Sequence, residues 1–181
     1  MPKKIENVRE KLMCEAKRQV NELGFAAVTM RSVASGAGVG IGTIYNYYPT
    51  KEALITSYIL DDWNECIEKM LGVIEKEDDP IAAVRGVYEI NREFYNSNQT
   101  IISDRTAKRV YGTMIAEQHE YMISSLGSIL TPIVKGAVLE DKEFAANILA
   151  QTILHFMVER YPFERAEPFY RLILEGYAKK P

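Results

Sequence analysis

The sequence predicts an all-α protein. Three observations carry that expectation. Apolar residues recur at steps of three and four along nearly all of the 181 residues, the period of an amphipathic helix. No segment alternates apolar and polar residues as a half-buried strand does. Glycines and prolines fall where they divide the chain into helix-length pieces. With 47% hydrophobic and 26% charged residues the composition is globular, and the length allows one domain, or one plus a small module. No stretch approaches the roughly 18 continuous apolar residues of a membrane span. Glu6, Arg9, Glu10 and Lys11 interrupt any signal segment behind Lys3 and Lys4, so the expected location is cytoplasmic.

The elements follow in order. Ile5, Val8, Leu12, Ala16, Val20 and Leu23 form one apolar stripe of a first helix, and Gly24 is placed to end it. Thr29 caps a short helix through Ser35 with Met30, Val33 and Ala34 facing inward. Gly36, Ala37 and Gly38 break that helix. A second short helix runs from Gly40 to Tyr48 and stops before Pro49. Thr50 caps a longer one reaching about Glu75, with Leu54, Tyr58, Trp63, Cys66 and Met70 along it. Glu77, Asp78 and Asp79 form an acidic loop, and Pro80 opens the next helix, with Val84, Tyr88, Asn91 and Tyr95 on one side. Asn96 to Thr100 reads as a polar turn. A long helical region spans about Asp104 to Lys135, with Gly112, Gly127 and Pro132 as weak points. Gly136 to Asp141 is a loop, and two further helices, roughly Lys142 to Tyr161 and Glu164 to Ala178, flank Pro162.

Net charge is −3, which alone argues weakly against a nucleic-acid partner. Its distribution argues the other way. Residues 1–51 carry eight Lys/Arg against four Asp/Glu, whereas the remainder carries 14 against 21. Such asymmetry points either to a polyanion partner for the N-terminal third or to a solvated basic face. Cys14 and Cys66 have no metal-like spacing and imply no disulfide framework.

Thr29 to Tyr47 has the anatomy of a helix-turn-helix: two short helices, a glycine-containing turn, and small residues where the helices approach. Such a unit lays its second helix in the DNA major groove. Here that helix reads Gly40-Ile41-Gly42-Thr43-Ile44-Tyr45-Asn46-Tyr47. Gly42 has no side chain to hold the backbone off DNA, and Thr43, Tyr45, Asn46 and Tyr47 offer hydroxyl and amide groups to phosphates or bases. Ile41 offers only apolar contact to a thymine methyl. Ile44 and Tyr48 face inward. Lys51 lies in the first turn of the following helix, where its charge suits a phosphate.

Gly24-Phe25, Thr29, Val33-Ala34, Ala37-Gly38-Val39, Gly42-Thr43-Ile44-Tyr45, Tyr47-Tyr48 and Lys51-Glu52-Ala53-Leu54 together resemble the DNA-binding domain of TetR-family (tetracycline-repressor-like) transcriptional regulators. The resemblance covers about fifty residues. It implies a DNA-binding domain over 1–50 and a helical effector-binding and dimerisation domain over 51–181. Carried over position by position, its DNA contacts fall on Thr29, Gly42, Thr43, Tyr45, Asn46, Tyr47 and Lys51. Gly40 stands where the recognition helix usually opens on a serine-like residue, and Ile41 fills a slot that is often basic. Both departures bear on which DNA is read rather than on the fold.

Beyond residue 50 the family carries no shared ligand signature. Tyr58, Trp63, Tyr88, Phe94, Tyr95, Met114, His119 and Met122 lie on helices that the resemblance packs around a pocket. They read either as core or as the lining for a small apolar or aromatic effector. The resemblance also implies a homodimer through the last two helices. There Phe144, Ile148, Thr152, His155, Phe156 and Glu159 share neighbouring turns, followed by Phe169, Leu172, Ile173 and Tyr177.

Other chemistries find less support. The series from Gly36 to Gly42 fails the phosphate-loop register, because Ile41 stands where glycine is needed and no Gly-Lys-Ser/Thr follows. His119 to Ile123 lacks the second histidine of a zinc-protease helix. Glu117, His119 and Glu120 read as a surface cluster before a metal site, and His155 as a core or interface residue. The expectation is therefore no enzyme, no metal and no cofactor. The function expected is a repressor that binds a palindromic operator as a homodimer and leaves it when an effector binds. The alternative is a helical small-molecule-binding or catalytic protein whose N-terminal domain no longer reads DNA.

Overall fold

The computed structural model describes residues 7–104, 107, 112–136 and 141–175, with the side chains of 112–118 and 135–136 excepted. Among these the chain is helical and has no strand. The helices are α1 (Val8–Leu23), α2 (Met30–Gly36), α3 (Ile41–Tyr47), α4 (Lys51–Ile74), α5 (Pro80–Ser103), α6 (Gly112–Leu130), α7 (Lys142–Val158) and α8 (Phe163–Glu175). Short 3-10 turns occupy Phe25–Ala27 and Ile133–Gly136.

The fold divides into two compact units. The first holds residues 1–62 and 97–115, the second 63–96 and 116–181. In the first, Val8, Leu12, Ala16 and Val20 bury one stripe of α1 together with Phe25, Val33, Ile44, Leu54, Tyr58 and Ile101. Each buried aliphatic or aromatic side chain removes apolar area from water at roughly 1.5–3 kcal/mol. Leu23 shares the α1 stripe but is 59% exposed. Period fixes the direction of a side chain; burial also needs a neighbour to cover it. In the second unit Trp63, Met70, Tyr88, Leu126, Leu130, Leu149, Ile153, Phe163 and Tyr170 are fully buried.

The local signals for helix ends operate as the sequence suggests. Thr29 Oγ1 accepts from the Ser32 N–H at 3.0 Å while Ser32 Oγ accepts from the Thr29 N–H at 3.1 Å, a reciprocal capping box. The Ala53 N–H donates to Thr50 Oγ1 at 3.1 Å at the head of α4. Asp141 caps α7 by accepting from the Phe144 N–H at 2.9 Å.

One expectation is corrected. Asn96 to Thr100 is not a turn: α5 runs unbroken to Ser103. Asn98 is 1% exposed and donates through Nδ2 to Asp62 Oδ2 at 2.9 Å, and Asp62 also holds Lys17 Nζ at 2.5 Å. That part-buried polar junction ties a stretch of poor helix formers to the rest of the first unit. Within the long helical region expected over about Asp104 to Lys135, α6 ends at Leu130, before Pro132, and a 3-10 turn follows; Gly127 lies inside α6 without ending it. Ile5 and Tyr177 lie outside the described residues, as does the side chain of Met114.

Candidate nucleic-acid interface

The turn between α2 and α3 is a Schellman motif. Gly38, at φ 69°, takes the left-handed position. Its N–H donates to Ser35 O at 3.1 Å and the Val39 N–H donates to Ala34 O at 2.9 Å. A residue with a β-carbon is strained there, so glycine at 38 sets the angle at which α3 leaves α2.

A polar chain fixes α2 against α1. Ser32 Oγ donates to Gln19 Oε1 at 2.7 Å, Gln19 Nε2 donates to Glu15 Oε1 at 2.7 Å, and Arg18 donates to both carboxylate oxygens of Glu15 at 2.6 and 2.9 Å. Gln19 is buried although α1 is otherwise apolar on that face. The Arg18 guanidinium, helped by Gln19 and opposed by burial, holds the Glu15 carboxyl below its ordinary pKa of 4.5. Sequence periodicity does not reveal this network, because Gln19 reads as a solvent position until Ser32 is brought to it.

On α3, Ile44 is fully buried and Tyr48 just beyond is buried, as the spacing requires. The opposite face is open. Tyr45 is 51% exposed, Tyr47 48% and Ile41 42%, while Gly42 and Asn46 are exposed and Thr43 is half-buried. Two tyrosines and an isoleucine turned to water on a seven-residue helix are costly as surface and useful as a contact face. A β-carbon at Gly42 would meet nothing within 4 Å, so no packing among the described residues calls for glycine there. Thr29 is exposed; as a cap it uses its hydroxyl as acceptor, which leaves the hydroxyl proton free to donate outward.

Lys51, expected as a phosphate ligand, stands at the head of α4. It is half-buried, and Nζ donates to Phe25 O and Val28 O, each at 3.0 Å, while standing 3.9 Å from the centre of the Phe25 ring.

Residues 12–58 match the family model of bacterial regulatory proteins, tetR family. Residues 12–58 are thus a tetR-family domain. Solved structures share the fold over almost the whole chain. A transcriptional regulator from Rhodococcus sp. Rha1 is 19% identical, covers 96% of this chain and 99% of its own, and superposes with a TM-score of 0.71. The fatty acid degradation regulator FadR from Bacillus halodurans is 17% identical, with 98% and 100% coverage and a TM-score of 0.67. A TetR-family transcriptional regulator from Streptomyces coelicolor is 16% identical, with 91% and 95% coverage and a TM-score of 0.63. No curated protein matches the chain in sequence. The family match supports DNA-binding regulation through residues 12–58, and the solved structures show the fold of the chain.

The residues expected to line an effector pocket are distributed over several places. Tyr58 belongs to the core of the first unit, where burial and the nearby Asp62 raise its phenol pKa. In the second unit Trp63 packs edge-on against Phe94 at 5.2 Å and donates through Nε1 to Ser125 Oγ at 3.0 Å. Ser125 Oγ in turn donates to the Met122 carbonyl at 3.1 Å. Tyr88 sits in an aromatic group with Phe163 and Tyr170 and donates to the Tyr161 carbonyl at 2.5 Å. Tyr95 is buried. His119 lines an open groove of about 520 Å³ with Ile123, Gln151, Thr152, Leu154, His155 and Val158. Both histidines of the chain therefore meet at one groove, which spacing along the chain gave no means to see. Among the described residues no group of three or more metal-ligating side chains occurs.

On the last two helices, Phe144 is 58% exposed and Leu172 43%, with Phe169, His155 and Glu159 also exposed. Ile148, Thr152 and Phe156 are half-buried, and Ile173 is buried. Phe156 lies among the Tyr161, Phe169 and Tyr170 rings at 5.7 to 6.2 Å. No helix among the described residues is long and apolar enough to cross a membrane.

Proposed function

We propose that this chain is a ligand-responsive repressor that binds a palindromic DNA operator as a homodimer and releases it when a small apolar or aromatic molecule occupies its second unit. The observation that supports the DNA half is the two-sided character of α3. Ile44 anchors the helix in the core while Ile41, Tyr45, Asn46 and Tyr47 stand outward. The expected contacts are Thr29, Ile41, Gly42, Thr43, Tyr45, Asn46 and Tyr47, with backbone approach at Gly42 and base or phosphate contact from the polar groups. The reading for the dimer rests on Phe144, Phe169 and Leu172, apolar side chains turned to solvent on the last two helices.

Effector response is the third part. α4 is one helix from Lys51, at the end of the helix-turn-helix, to Ile74, and Trp63 is buried midway along it. A ligand that contacts Trp63 or Phe94 would act on the same helix that follows α3. Coupling of this kind is reciprocal: operator DNA must weaken effector binding by the factor by which effector weakens operator binding. One of the structurally similar proteins is a fatty acid degradation regulator, which makes fatty acids the first ligands to try.

Selection of bound duplexes from a random library by the full-length chain tests the proposal. The expected product is an inverted repeat whose half-sites lie about one helical turn, or a multiple of it, apart. Enrichment of single half-sites would refute the dimeric reading. No enrichment at all would favour the alternative, a helical ligand-binding or catalytic protein with a DNA-silent N-terminal domain.

A further inference from the structure

We propose that Lys51 is a positioning residue that clamps the chain entering α2, rather than a direct ligand of DNA phosphate. The proposal rests on the DNA-reading function above. A lysine ammonium has three N–H donors and no acceptor. Two of the three are engaged by the Phe25 and Val28 carbonyls, and the Phe25 ring lies beneath the charge. Those carbonyls belong to the short link between α1 and α2. Val28 immediately precedes Thr29, whose capping box starts α2. The first turn of α4 is thereby tied, across more than twenty residues of chain, to the residue that sets the start of the helix-turn-helix.

The surroundings fit a structural ammonium. Burial lowers the Lys51 pKa, and Glu52 and Asp104 oppose that shift without cancelling it. A lysine reserved for phosphate would be expected to keep its head in water and its donors unspent. Cation–π contact and two carbonyls together replace much of the hydration that the ammonium gives up. Removing the ammonium frees the Phe25–Val28 link, and with it the placement of Thr29 and α2 on DNA.

The test separates the two roles by their salt dependence. Full-length protein, Lys51→Met and Lys51→Arg are titrated by fluorescence anisotropy against the selected duplex and against a scrambled duplex of equal length, over a range of potassium chloride. Thermal melts first establish the temperature at which all three are folded. The clamp predicts that Lys51→Met loses about tenfold on the selected duplex, stays within about twofold on the scrambled one, and keeps the slope of log K against log salt. Lys51→Arg, which can also donate to both carbonyls, should recover most of the loss. Equal losses on both duplexes with a slope smaller by about 0.9 would establish a phosphate contact and overturn the proposal. Unchanged affinity on both duplexes would overturn it too, leaving Lys51 a stability residue only.

Amide exchange gives a readout that needs no DNA. Lys51→Met should speed exchange over residues 25–32 relative to the rest of the first unit; unchanged exchange there overturns the clamp. If the wild-type chain selects no duplex, the DNA reading fails, and the clamp is judged by exchange alone.

Discussion

A β-carbon at Gly36 would lie 2.0 Å from Glu15 Oε1, with Cδ and Cγ of the same side chain at 2.5 and 2.9 Å. Glycine at 36 therefore makes room on α2 for the carboxylate that α1 presents. Gly36→Ala gains about 1 kcal/mol in helix propensity but pushes Glu15 off Gln19 and Arg18. Overpacking and the lost hydrogen bonds outweigh that gain, for a net loss of about 1 kcal/mol in a denaturant melt. In a Glu15→Ala background the same substitution should be neutral or stabilising. Additive effects in this double-mutant cycle would show that the two sites do not share space.

The two faces of α3 should separate stability from DNA binding. Ile44→Ala, at a fully buried position, should cost about 2–5 kcal/mol. Tyr45→Ala and Tyr47→Ala should each stay within about 0.5 kcal/mol of wild type while weakening the selected duplex. Ile41→Lys should change the sequence recovered by selection rather than abolish binding. An unchanged selected site after that substitution would place Ile41 away from the bases.

Arg160 has φ 57°, in the left-handed region. It closes α7 in a Schellman motif, where its N–H donates to Met157 O at 3.0 Å and the Tyr161 N–H donates to Phe156 O at 2.9 Å. Arg160→Gly should raise stability by about 0.5–1 kcal/mol, because glycine takes this conformation without the β-carbon penalty. A calorimetric midpoint at or below that of wild type would show that the arginine side chain contributes more than its backbone costs.

For the dimer, truncation at Pro162 is a poor test, since it removes the buried Phe163 and Tyr170 from the second unit. Charging the exposed face is cleaner. Phe144→Glu with Leu172→Glu should leave each subunit folded and shift sedimentation to monomer, with operator affinity falling as the two half-sites are no longer held together. A double variant that remains dimeric would move the interface elsewhere.

Much of the first unit was legible in the sequence because its determinants are local. Thr29 as a cap, Gly38 among the residues that break α2, and the spacing that turns Ile44 inward each act within five residues of themselves. The same locality let Pro80 mark a helix start. Locality also misled: Asn96 to Thr100 has the composition of a turn yet is helical, with Asn98 bonded to Asp62, 36 residues away.

The sequence by itself therefore determined the helical class, the helix-turn-helix, its likeness to the tetR domain and which side of α3 faces water, since all of these follow from period, caps and closely spaced residues. Tertiary structure alone decided what the long-range polar groups do. It engaged Lys51 with two carbonyls, buried Gln19 between Ser32 and Glu15, set Trp63 on Ser125, and brought His119 and His155 to one groove. A charged or amide side chain has several partners of equal chemistry in any chain, and only the fold chooses among them by distance.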